Sequence, residues 1–227
     1  MELINLTGRR VLITQAGDFM GPALCDTFAR LGADVVADAQ ALTDPDLPRQ
    51  VVAAAGKIDV LVINLAIAAP STPAVSVEEA EWRDVFAHLV DPLPRLVRAA
   101  LPAMMERRAG RIVLMGSAAA LRGMKRASTY SAARGAQLAY IQAVGIEAAP
   151  FNVQINAIAQ NFVDNPTYFP PEVQALPAFQ ERLKREVPLG RLVSAEEDAM
   201  LAAYLASDAG GCFVGQVFPV SGGWAMR

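Results

Sequence analysis

Short apolar, β-branched runs alternate with amphipathic stretches along this whole chain, and that alternation leaves few folds open. "RRVLIT" (9–14) has the composition of a strand buried on both faces. Behind it, "PALCDTFARLG" repeats its apolar residues at helical spacing and closes on Gly32. The pattern then recurs. "ADVVAD" (33–38) predicts a second strand, a polar segment leads to a brief helix ending near Gly56, and "KIDVLVINLA" (57–66) predicts a third strand. "SVEEAEWRDVFAHLV" opens on Ser76 followed by acidic residues, a helix-start signal, and Pro92 and Pro94 separate it from a second helical piece running to about Arg108. "GRIVLMGS" (110–117) predicts a strand, 128–149 a long helix and "NVQINAIA" (152–159) another strand. "PEVQALPAFQERLKREV" and "SAEEDAMLAAYLAS" read as helices, and "GQVFPVSGG" as a last strand. Strands separated by helices pair in parallel through right-handed crossovers. The expected architecture is therefore α/β: a doubly wound parallel sheet flanked by helices on both faces.

Length and composition narrow the partners. A chain of 227 residues fits one such domain over 1–227, and a hydrophobic share of 53% is ample for its core. A net charge of -3 supplies no electrostatic footprint for nucleic acid or an anionic membrane. The longest uncharged apolar run, "VLVINLAIAAP", is too short to span a bilayer, and no leader pattern opens the chain. These features lead us to expect a soluble, cytoplasmic protein. Cys25 and Cys212 lie far apart in apolar surroundings, without metal or C-x-x-C spacing, and are expected to be reduced core residues. His88, the one histidine, falls mid-helix with no partner for a triad. No metal site is expected.

In open parallel sheets, ligands bind beyond the carboxyl ends of the strands. Segments 14–21, 64–70, 115–117 and 159–170 should therefore converge there, beside the start of helix 128–149. That helix carries "STYSAARG", which places Tyr130 and Arg134 four apart on one face. A phenol titrates near pH 10 and is a poor base at neutrality; an adjacent guanidinium favours the phenolate. Ser117 ends the preceding strand at the same sheet edge, where its hydroxyl could hold a substrate oxygen against Tyr130. Singly, these residues have ordinary structural readings: a helix-surface aromatic, a solvated charge, a strand-end hydrogen bonder. The joint spacing S-x12-Y-x3-R on adjacent elements points to chemistry.

The whole chain resembles the short-chain dehydrogenases/reductases. "INLA" (63–66) stands where that family carries Asn-Asn-Ala-Gly. "GRIVLMGSAAA" and "YSAAR" stand at its catalytic Ser strand and Tyr-x-x-x-Lys helix, "INAIAQNFVDNP" at its Asn-x-(Ile/Val)-x-Pro-Gly strand exit, and "GQVFPVSGGW" at its last strand. Three departures stand out. The family's loop T-G-x-x-x-G-x-G is Thr14-Gln15-Ala16-Gly17-Asp18-Phe19-Met20-Gly21; its Lys is Arg134; its Pro-Gly is Gln160–Asn161. Glycines in that loop let the backbone approach a pyrophosphate, and here two are gone. The combination T-x4-F-x-G with S-x12-Y-x3-R resembles the halohydrin (haloalcohol) dehalogenases, a branch on the same fold without a nicotinamide site. "AIAQNFVDNPTYFPPEVQ" and "FVGQVFPVSGGW" are most similar to its B-type members.

The resemblance implies a Rossmann-like fold and a cofactor-independent carbon–halide lyase acting on small vicinal halohydrins. Tyr130 would be the general base, Arg134 would lower its pKa, and Ser117 would orient the substrate oxygen. The products would be epoxide, halide and a proton. Reverse opening would use small anions: azide, cyanide or nitrite. The halide would lie where the parent family holds nicotinamide, walled by Phe19, Phe162 and Val163 and bonded by the Gln160–Asn161 turn. Thr14, Tyr168 and Phe169 would line the substrate pocket, and the protein would form a homodimer or homotetramer through its two long helices. Asn64 is expected to hold the sheet edge rather than act chemically, and Asp38 to be a solvated strand end. Two rivals remain open. An NAD(P)-dependent reductase with an eroded loop predicts nicotinamide turnover, and a non-catalytic scaffold predicts none.

Overall fold

The computed structural model describes residues 4–226. Strand β1 (Arg10–Ile13) leads through α1 (Gly21–Arg30) to β2 (Asp34–Ala37), and α2 (Leu47–Ala55) leads to β3 (Val60–Asn64). Helices α3 (Glu79–Leu89) and α4 (Pro92–Glu106) precede β4 (Gly110–Ser117). A short α5 (Ala119–Arg122) and the long α6 (Ser128–Ala148) precede β5 (Val153–Gln160). Then come α7 (Pro171–Gln174), α8 (Pro177–Glu186), α9 (Ala195–Ala206) and β6 (Val217–Val220). The strands lie in the order β2-β1-β3-β4-β5-β6, every neighbour parallel. This is the doubly wound, Rossmann-like sheet that the alternation predicts.

Two features of the sheet position the site. The chain leaves β1 toward β2 and returns to pair β3 on the other side of β1, so a crevice opens between the β1 and β3 exits. Strands β4 and β5 run in register for eight pairs, from Gly110↔Val153 to Ser117↔Gln160. Ser117 and Gln160 therefore reach the carboxyl edge side by side. The central strands are buried on both faces, which explains their unbroken apolar runs. One face packs under α2, α4, α6 and α8 through Leu61, Ile112, Ile141 and Leu183. The other packs under α1 and α9 through Val62, Phe28 and Ala202.

Several local expectations are corrected. Helix α3 starts at Glu79, not at Ser76. Ser76 ends a 3-10 turn (Ala74–Ser76), and no side chain caps α3, whose first turn relies on Glu79 and Glu81 against the helix dipole. Ser194 is a true cap of α9, in a reciprocal box with Glu197. The helix expected over 171–187 breaks in two. Pro177 drives Leu176 out of helical geometry, to ψ 129°, and starts α8. Cys212 is exposed rather than a core residue, and Cys25 is half-buried. Among the described residues, no helix is long and apolar enough to cross a membrane.

Helix α6 lies so close to β5 and the chain entering β6 that a side chain on Gly145 would meet the Gly215 backbone at 2.7 Å and the Ile155 carbonyl at 3.1 Å. Gly135, on the same helix, has open space. Gly145→Ala should destabilise by about 2 kcal/mol or more through overpacking. Gly135→Ala should be neutral or stabilising by about 0.5 kcal/mol. Denaturant midpoints of the two variants check both.

Candidate active site

Beyond the carboxyl ends of the strands lies a cavity of about 280 Å³. It receives Phe19 and Met20 after β1, Asn64, Ala66 and Ala69 after β3, and Met115–Ser117 from the end of β4. Tyr130 and Arg134 enter from the first turns of α6, and Gln160–Val163, Asn165, Tyr168 and Phe169 from the β5 exit. Of the residues the sequence assigns to the site, only Thr14 lies outside. It is fully buried, and its hydroxyl donates to the Asn64 carbonyl and accepts from the Asn64 N–H, tying β1 to β3. A strand-end threonine looks the same in sequence whether it faces a cavity or the neighbouring strand.

Arg134 is 3% exposed and has no carboxylate partner within 4.0 Å among the described residues. One terminal nitrogen donates to the Leu65 carbonyl (2.8 Å), to Gln137 Oε1 (2.9 Å) and, more weakly, to the Met115 carbonyl (3.4 Å). Its Nε is buried without a partner. The guanidinium lies 5.0 Å from the Tyr130 ring centroid. A buried cation surrounded only by neutral acceptors biases any acid beside it toward ionisation. Burial alone would push Tyr130 up. The Arg134 charge is the largest effect opposing burial, and it holds Tyr130 below the ordinary phenol value. Tyr168 moves the other way. Its hydroxyl donates to the Ile67 carbonyl and lies 3.5 Å from the Tyr130 oxygen. Burial first, then the neighbouring Tyr130 charge, pushes it up. The two phenols are thus driven in opposite directions by one environment.

The loop after β1 keeps the conformation of the glycines it lacks. Gln15 (φ 46°) and Phe19 (φ 50°) both sit in the left-handed region, as does Phe162 (φ 52°) after β5. Each costs about 1 kcal/mol or more for a residue with a side chain. Gln15 uses both ends of its amide on the Ala66 peptide, donating to the carbonyl (2.7 Å) and accepting from the N–H (2.8 Å). The Phe19 ring packs at 5.3 Å from the Tyr168 ring, and Phe162 stacks on Phe169 at 5.9 Å. The crevice of a dinucleotide binder is therefore crossed by one amide and walled by one phenyl ring, and Arg134 is engaged with backbone and Gln137. These residues do not fit a nicotinamide dinucleotide.

The β5-exit turn offers fewer donors than its sequence suggests. The Asn161 N–H donates to the Val220 carbonyl, and the Phe162 N–H to Asn161 Oδ1. Gln160 Nε2 donates to the buried Asp198. Asn161 Nδ2 and the Val163 N–H have no protein partner among the described residues. Asn64 holds the sheet edge as expected, its amide donating to the Gln15 and Asp18 carbonyls. Asp38 accepts from Gln40, and His88 bonds within its own helix.

Three residues beyond the sequence reading bear on the site. Gln137, fully buried, accepts from Arg134 and donates to the Leu89 carbonyl, so it fixes the guanidinium; its place one turn after Arg134 was the available signal. Arg182 on α8 lies 5.1 Å over the Phe162 ring and lines the cavity mouth, giving a lining with two arginines and no acid. Asp198 touches Gln160 from α9. Nothing in the sequence brings residues 160 and 198, or 162 and 182, together.

Comparison with known proteins agrees with this fold. A family model described as enoyl-(acyl carrier protein) reductase matches residues 4–225. The 3-oxoacyl-[acyl-carrier-protein] reductase FabG of Escherichia coli strain K12 is 27% identical over 98% of this chain and its own full length. A solved structure described as a dehalogenation enzyme superposes with a TM-score of 0.90 at 30% identity, covering 99% of this chain and 100% of its own. Halohydrin dehalogenase HheC bound to ethyl (2S)-oxiran-2-ylacetate superposes at 0.87 with 25% identity, over 96% and 98% of the two chains. The chain belongs to the short-chain dehydrogenase/reductase family, a family of enzymes.

If Arg134 holds the phenolate, an ultraviolet titration of the four tyrosines should find one phenol ionising below the others. Arg134→Met should raise that step by more than about one pH unit. An unchanged titration in the variant would remove the guanidinium from this role.

Proposed function

We propose that this chain is a halohydrin dehalogenase. The observation that carries the reading is the buried Arg134–Tyr130 pair facing a cavity whose former glycine loop holds Phe19. The substrate is a small molecule with hydroxyl and halogen on adjacent carbons. Ser117 donates to the substrate oxygen, and Tyr130, as phenolate, accepts its proton. The oxygen then attacks the neighbouring carbon from the side opposite the halogen. The new C–O bond forms as the C–halogen bond breaks, and the electron pair leaves with the halide. Holding the two groups anti on one small molecule supplies most of the advantage.

The departing ion needs a dry site with donors. Phe19, Phe162 and Val163 give apolar walls, and Asn161 Nδ2 and the Val163 N–H, without a protein partner among the described residues, can donate. In the reverse direction Tyr130 returns the proton to an opening epoxide while a small anion attacks. Tyr168 and Phe169 shape the cavity around the substrate. The stacked Trp82–Phe86 pair on α3, with Trp82 41% exposed, supports self-association through α3 and α6.

A reductase reading has one point in its favour: the family model and FabG are named for reductases. The test separates the two. Purified protein without added cofactor should release halide and acid from 1,3-dichloro-2-propanol, with no change on adding nicotinamide cofactor. Tyr130→Phe should lower turnover by about 100-fold or more, with an unchanged circular dichroism spectrum. Activity that appears only with NAD(P)H, accompanied by its loss of absorbance, would favour the reductase.

A further inference from the structure

Asp198 is fully buried on α9, its carboxyl makes a single hydrogen bond, to Gln160, and its Oδ1 has no partner among the described residues. Among the described residues, no cation stands within 4.0 Å of it. The charged groups on the elements around it are engaged elsewhere. On α9, Glu196 pairs with Arg30 and Glu197 with Arg191. On α1, Asp26 pairs with Arg30. Arg111 starts β4, at the end of the sheet away from the cavity, beside Asp208 of the turn after α9. Asp164, after β5, accepts from Gln174, and Asp18, ahead of α1, is exposed. Burial pushes the Asp198 carboxyl up to about 7, against a smaller downward pull from Gln160. An isolated buried carboxyl is costly when ionised and tolerable when neutral.

Gln160 connects this acid to the cavity, because it is a lining residue. Its amide nitrogen and oxygen exchange places by a half-turn about the last side-chain bond, with no other heavy atom moving. An ionised Asp198 only accepts, so it takes the amide N–H. A neutral Asp198 can donate its O–H to the amide oxygen, which frees both amide N–H groups.

We propose that Asp198 is a positioning residue that sets the polarity of Gln160, so that the cavity accepts an anion when Asp198 is protonated and loses those donors when it is ionised. This rests on the halide-site reading above and adds a proton to it. Anion binding takes up one proton at Asp198, and loss of that proton favours release of the ion. Aspartate at position 198 and glutamine at position 160 thereby act together, through the contact between α9 and the β5 exit.

Tyr130 also titrates beside the cavity, so the test is made in Tyr130→Phe. Bromide is titrated by calorimetry across neutral pH, in two buffers of different ionisation enthalpy to count protons. The expected result is affinity that falls toward about tenfold per pH unit above the Asp198 midpoint, with proton uptake on binding. In Tyr130→Phe/Asp198→Asn, affinity should change less than about twofold over the same range, because a neutral amide can hold Gln160 at any pH. Tyr130→Phe/Gln160→Leu should bind bromide more weakly and without pH dependence, which keeps the test available if the Asn variant does not fold. The same slope in parent and variants, or a flat profile in the parent, would overturn the role of Asp198. Absence of bromide binding at every pH, in wild type as well, would overturn the halide site itself.

Discussion

A guanidinium withdrawn from water without a carboxylate is the constraint around which the site is organised. Arg134 is held by two carbonyl oxygens and the Gln137 amide, all neutral, so its charge remains uncompensated at close range. Removing an ion from water costs several kcal/mol unless something negative or strongly dipolar answers it. The nearest group able to answer is the Tyr130 phenol, one helical turn away. The opposite shifts of Tyr130 and Tyr168 follow from this one placement: the phenol next to the cation is drawn down, and burial and the phenol beside it push Tyr168 up.

The loop after β1 keeps its inherited backbone path with a changed surface. Gln15 and Phe19 retain left-handed torsions that glycine would adopt freely, and hydrogen bonds or packing hold both against that strain. Gly21 remains because a side chain there would strike the Ala16 backbone. The glycine that lets helix and strand pack survives, while the two whose bareness would admit a diphosphate do not. Packing and ligand contact are thus separable within one eight-residue stretch.

Much of this was legible in sequence. Six strands and their parallel pairing follow from apolar runs spaced by helices; the order of the strands does not, and the partly exposed edge strands β2 and β6 carry short runs. Ser117, Tyr130 and Arg134 were readable since the helix period and the strand end set their places relative to the backbone. What escaped depended on contacts between distant elements. Thr14 turned toward β3 rather than into the cavity. Gln160 found Asp198 across 38 residues, and Arg182 covered Phe162 only because α7 and α8 fold back over the β5 exit. The break between α7 and α8 was foreshadowed by Pro177, whose effect on the residue before it outweighs the helical periodicity.

The eight-pair register between β4 and β5 has a wider consequence. Ser117 and Gln160 owe their adjacency to main-chain bonds that neither side chain supplies. The spacing of the Ser117 and Gln160 backbones at the floor of the cavity is accordingly a property of the sheet, insensitive to rotamer changes nearby. Residues 171–186 carry no such burden: they form two short helices, α7 and α8, outside the sheet. Variation can reshape what enters the chamber while leaving its innermost dimensions intact, much as a lock can be rekeyed without recasting the bolt.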